Sequence, residues 1–152
     1  MDIDSLLRPV FGHAKQGAGF GHTKIAGKRV LRRGLSPLVT TISTREGAPV
    51  VAGIRLRAGK TGSGKNTASM VAEAIRTARA AGATGDILVR GDCAYGTNTV
   101  VNACLQAGAR FSVVLTKNRA VQRAIATIPD DAWTPVHYPG AVTDPDTGEL
   151  IL

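Results

Sequence analysis

The sequence predicts an α/β domain on a mixed sheet: three antiparallel strands first, then alternating helices and parallel strands. Three observations carry this. β-rich runs at Leu38–Thr44 and Val50–Arg57 are joined by the short, turn-forming stretch Arg45-Glu46-Gly47-Ala48-Pro49. Helical spacing then takes over from Lys65 to Ala81 and again from Thr97 to Ala107. Between and after these helices lie compact apolar runs, Ile87-Leu88-Val89 and Phe111–Leu115, with the length of buried strands. At 152 residues the chain can bury one real core and is too short for two full domains.

Taken in order, Met1 to Leu7 alternates acidic and apolar residues, so Asp2 and Asp4 leave one face of a half-exposed strand and Ile3 the other. The passage from Gly12 to Gly34 holds six glycines among basic residues and reads as loop. In the first helix Ala68, Val71, Ala72, Ile75 and Ala78 share a face, and Gly82 supplies the stop. The strand Ile87-Leu88-Val89 follows, Arg90-Gly91 carries the chain out of the sheet, and Asp92 comes next. Carboxyl ends of strands are where ligands sit in open α/β sheets, which places Asp92 for chemistry. The second helix is expected to bury Val100, Val101, Cys104 and Leu105 and to stop at Gly108. A third helix is expected over Arg119–Thr127, with Asp130-Asp131 beginning a turn. A hairpin from Trp133 to Leu152 is expected to turn at Asp144-Pro145-Asp146-Thr147-Gly148.

Composition narrows the function. The chain is 43% hydrophobic, yet no apolar run approaches the roughly 18 residues of a membrane span, and the N-terminus lacks a secretory pattern. Cys93 and Cys104 have no CxxC partner, so free thiols in a cytoplasmic protein are expected. Against 11 acidic residues stand 19 Lys and Arg, a net charge of +8 that favours a polyanionic partner. Lys24, Lys28, Arg29, Arg32 and Arg33 form one cluster; Arg55, Arg57, Lys60 and Lys65 form a second. Only 4% of residues are aromatic and no separate basic amphipathic helix stands out, which points to nucleic acid rather than a membrane. The plainer alternative is a solvated basic surface.

Two constellations compete for the chemistry. Gly59-Lys60-Thr61-Gly62-Ser63-Gly64-Lys65 matches the G-x-x-x-x-G-K pattern that cradles phosphates, but Asn66 stands where a Ser or Thr would hold magnesium, and Thr67 comes one residue late. Its rival is acidic: Asp4 or Asp2 on the first strand with Asp92 at the end of a later one, a pair whose repulsion a divalent cation relieves. Oxygen ligands of this kind suit Mg2+ or Mn2+. The bland alternative makes Asp2 and Asp4 solvated terminal residues and Asp92 a helix-leading cap. His13, His22 and His137 stand alone, and Ser5, Thr61, Ser63 and Cys93 have no local base to activate them.

Four segments together resemble bacterial insertion-sequence transposases of the DDE group. They are Asp2-Ile3-Asp4-Ser5-Leu6; Phe11-Gly12 with Lys15-Gln16-Gly17-Ala18; Arg90-Gly91-Asp92-Cys93-Ala94-Tyr95; and Ile128-Pro129-Asp130-Asp131-Ala132-Trp133-Thr134-Pro135. They occur in the family's order along essentially the whole chain. The resemblance implies an RNase H-like fold and three carboxylates holding two divalent metals, which activate water or a DNA 3′ hydroxyl for attack on a phosphodiester. By matching position the first acid is Asp4, with Asp2 the alternative, and the second is Asp92. Cys93 stands where many relatives carry Ser, which touches nothing catalytic.

The chain departs from that pattern at the third acid, a Glu within a Tyr, Arg, Glu, Lys pattern that follows a β-rich insertion. Glu149 matches nothing. The resemblance therefore divides the chain into a partial RNase H-like catalytic domain, 1–130, and the start of a truncated insertion, 131–152. It implies a transposase fragment, inactive alone, that handles transposon-end and target DNA and is a homodimer when intact. Lys24, Lys28, Arg29, Arg32, Arg33, Lys60 and Lys65 are its expected DNA contacts. The alternatives are a P-loop NTPase using Gly59–Lys65 and a non-catalytic basic DNA-binding module.

Overall fold

A computed structural model describes residues 1–134, 140–148 and 150–151. Its contacts group into two compact units, Met1–Thr116 and Lys117–Leu152. The first is built on a five-stranded sheet: β1 (Asp2–Ser5), β5 (Leu38–Ile42), β6 (Val50–Arg55), β7 (Leu88–Gly91) and β8 (Arg110–Val113), in the spatial order β6-β5-β1-β7-β8. β6 and β5 pair antiparallel, as do β5 and β1, while β7 runs parallel to both β1 and β8. This mixed order is compatible with an RNase H-like domain.

Helices α1 (Thr67–Ala80) and α2 (Asn98–Gln106) pack on each other, α1 also against β5 and β6, α2 against β8. Alternation along β1 sends Ile3 into the core and leaves Asp4 exposed. Ile3, Leu38 and Val89 from the sheet meet Met70, Val71, Ala74 and Ile75 of α1 and Val100 and Cys104 of α2. Two expectations for α2 change: Leu105 is exposed and Val101 only half-buried, because the narrow contact with α1 and β8 covers little more than one residue per turn. Arg90-Gly91 also stay in the sheet, paired with Ser112 and Val113, so the chain leaves one step later, at Asp92.

The largest correction concerns Gly12–Gly34, expected as loop. It contains β3 (Gly19–Ile25) and β4 (Lys28–Leu35), a hairpin that also pairs with the two-residue β2 (Arg8–Pro9). The turn residues Ala26 and Gly27 both have positive φ, +48° and +78°, the conformation that matches the twist of a two-residue hairpin. Glycines interrupt the apolar alternation that would announce strands, and their purpose lies elsewhere. A Cβ on Gly21 would sit 2.3 Å from the Gly59 carbonyl oxygen; one on Gly59 would sit 2.1 Å from that of Gly34 and 2.3 Å from that of Gly19. Backbones therefore cross in direct contact where the hairpin meets the turn before α1, stitched by the Gly59 amide donating to the Gly17 carbonyl at 3.2 Å.

In the second unit, α3 (Arg119–Ala126) starts on Asn118, whose side chain accepts from the amides of Ala120 and Val121. A 3-10 turn, Asp130–Ala132, follows. β9 (Val142–Thr143) and β10 (Leu150–Ile151) pair antiparallel around the expected Asp144–Gly148 turn, where the Asp144 carboxylate accepts from the Asp146 amide at 2.8 Å. His137 and Glu149 lie outside the described residues.

Candidate functional site

β1 and β7 are adjacent and parallel, with Asp2 beside Arg90. Two residues further along each, Asp4 and Asp92 leave the same end of the sheet, and both are exposed. Each carboxylate has one oxygen engaged locally: Asp4 accepts from the Ser5 amide at 2.7 Å, Asp92 from the Ala94 amide at 2.9 Å. The second oxygen of each has no protein partner among the described residues. Asp92 is not the cap of the following helix, since the Thr97 side chain accepts from the Val100 amide there.

Asp2 is differently placed. The Arg90 guanidinium donates to both of its oxygens, at 2.7 and 3.0 Å, and that hydrogen-bonded cation holds the Asp2 carboxyl below its ordinary range. Its oxygens are spent on an ion pair.

Sequence reasoning passed over Tyr95 as a site residue, although it belongs to the motif that holds Asp92. A turn in which the Tyr95 amide donates to the Asp92 carbonyl at 3.0 Å folds the ring back beneath β7, where only glycine at position 91 leaves room: a Cβ there would be 3.0 Å from that of Tyr95. The Tyr95 hydroxyl is buried and makes no hydrogen bond among the described residues. Burial pushes its pKa up, the Ser5 hydroxyl, near enough to favour the charged form but outside hydrogen-bond geometry, opposes this, and the negative charges of Asp4 and Asp92 push it further up. Both carboxylates are thus near enough to act on one phenol.

The basic residues fall into two classes. Lys28, Arg29, Arg32, Lys60 and Lys65 are exposed, whereas Arg33 is half-buried and donates to the Gly12 carbonyl at 2.9 Å. Lys24 pairs with Arg29 in the hairpin register. Arg55 and Arg57 do not belong with the exposed cations. Arg55 pairs with Glu73 and donates to Ser69 Oγ at 2.6 Å. Arg57 is buried and donates to the carbonyls of Ser36, Gly62, Ser63 and Lys65 at 2.8 to 3.4 Å.

That arrangement also disposes of the phosphate-loop match. Carbonyls of Gly62, Ser63 and Lys65 turn toward Arg57, Thr67 Oγ1 donates to the Ser63 carbonyl, and the preceding β6 is an antiparallel edge strand. A nucleotide loop instead turns amides inward from a strand that runs parallel within its sheet.

Among the described residues no group of three or more His, Cys, Asp or Glu comes together to hold a metal. No described helix is long and apolar enough to cross a membrane. Cys93 is exposed and Cys104 buried, and both are free. No curated protein matches the chain. The family model described as "Transposase DDE domain group 1" matches residues 1–143, nearly the whole chain, and contains both strand ends that carry the acids. The chain belongs to that family of transposase DDE domains.

Proposed function

We propose that Asp4 and Asp92 are the first two acids of a metal-dependent DNA-cleaving and strand-transfer site acting at transposon ends. The observation that supports this most is the adjacency of β1 and β7, which brings two exposed carboxylates to one sheet end. Their unengaged oxygens are hard ligands, a donor set that fits Mg2+ or Mn2+. Such a cation, when bound, polarises a phosphodiester and lowers the pKa of a water or hydroxyl nucleophile. Asp2, held by Arg90, serves the strand pair rather than the ligand set.

Lys28, Arg29, Arg32, Lys60 and Lys65 supply the DNA-binding surface, contacting phosphates and so largely indifferent to sequence. Measuring duplex DNA affinity across a salt series tests this half of the proposal. Affinity should fall steeply with salt, and replacing Lys28, Arg29 and Arg32 together by Ala should flatten the log–log slope by about 0.9 for each phosphate that the variant no longer neutralises. Affinity that is independent of salt overturns it.

A further inference from the structure

A cleft of about 320 Å³ opens between the β3–β4 hairpin and the Gly59–Ser63 turn, beginning at Ser5, the neighbour of Asp4. Ser5, Ser36, Thr61 and Ser63 line it together with His22, Arg29 and Lys60, and no Asp or Glu does. The cleft is built rather than incidental. The close backbone approach of Gly59 to Gly19 and Gly34 fixes its walls, and Ser5 Oγ donates to Ser63 Oγ at 3.0 Å across it.

Behind it lies Arg57, a buried cation whose hydrogen bonds go to backbone carbonyls and, at 3.4 Å, to Ser36 Oγ; no carboxylate pairs with it among the described residues. A buried positive charge held by carbonyl dipoles, with no carboxylate beside it among the described residues, makes the adjacent polar cavity favourable for an anion.

We propose that this cleft binds one phosphate of the DNA chain next to the phosphodiester held at Asp4 and Asp92, with Ser63 and Thr61 donating to it and Arg29 and Lys60 closing over it. The site fixes the strand's position relative to the acids, whereas the open hairpin surface supplies affinity without register. This rests on the DNA-binding reading above and deepens it.

Anisotropy titrations of a fluorescent DNA duplex separate the two ideas. Thr61→Val and Ser63→Ala change no charge. Each should weaken binding about tenfold, the loss expected for one hydrogen bond to a charged group, with the salt slope unchanged. Should both hydroxyl variants bind within about twofold of wild type while Lys28→Ala and Arg32→Ala weaken binding, the phosphate cleft is refuted and the basic surface stands. A wild-type chain that binds no DNA removes both.

Discussion

The two ends of the candidate site are built by opposite means. At the acid end, regular parallel pairing of β1 with β7 sets the positions of Asp4 and Asp92, and the side chains there have slack: carboxylate oxygens and a Tyr95 hydroxyl without a hydrogen-bond partner among the described residues. At the hairpin end, position comes from backbone crossing backbone at Gly19, Gly21, Gly34 and Gly59, with no slack at all. On the proposed function, the end that would accept a cation keeps polar groups unspent, whereas the surface that would present cations to DNA is locked from behind.

The sharpest way to break that contrast is Gly59→Ala. Its Cβ would meet two carbonyl oxygens at 2.1 and 2.3 Å, so backbone must move, and thermal or denaturant unfolding should show a loss of roughly 2–3 kcal/mol. Gly85, where nothing lies within 4 Å, should take Ala without comparable loss. A Gly59→Ala variant as stable as wild type would mean the crossing is not tight.

At the acid end the expected effect is smaller and of opposite sign. Tyr95→Phe removes a buried hydroxyl that has no partner among the described residues and keeps the ring, so stability should be unchanged or higher by up to about 1 kcal/mol. A clear destabilisation in the same unfolding measurement would reveal a hydrogen bond to that hydroxyl.

Smallest of all is Asp2→Asn. Because Arg90 depresses the Asp2 carboxyl, the ion pair contributes its full stability above the ordinary carboxylate value of about 4 and loses it as pH falls through the lowered folded value. The pair is substantially exposed, so the difference between wild type and variant should stay below about 1 kcal/mol at neutral pH and vanish in acid. A gap that widens as pH falls would reverse the assignment.

The same contrast explains what could be read in advance. Apolar runs and helical spacing located β1, β5, β6, β7, β8 and both helices of the first unit, and the alternation of Asp2, Ile3 and Asp4 already separated the acids from the core. Pairing of β1 with β7 is legible only as a condition: the acids meet if the first and fourth strands of the sheet are neighbours, which the fold shows them to be. The hairpin was not legible: its strands carry glycine for the sake of Gly59, far away in sequence, and such close approaches leave no periodic trace. Arg57 looked like one more surface cation for a related reason. Only the fold reveals that Ser36 and the turn before α1 wrap around it. Tyr95 lies within the motif, but that its hydroxyl has no partner among the described residues is a property of packing.

Asp4 and Asp92 are held to act as one cation site from which Asp2 is excluded. Mn2+ titrations of the wild type, Asp4→Asn, Asp92→Asn and Asp2→Asn test this central claim directly. The first two variants should each lose more than about tenfold in Mn2+ affinity, a loss that outer partners of a metal site alone can cause, while Asp2→Asn binds as wild type does. Mn2+ affinity unchanged by Asp4→Asn and Asp92→Asn would contradict the claim.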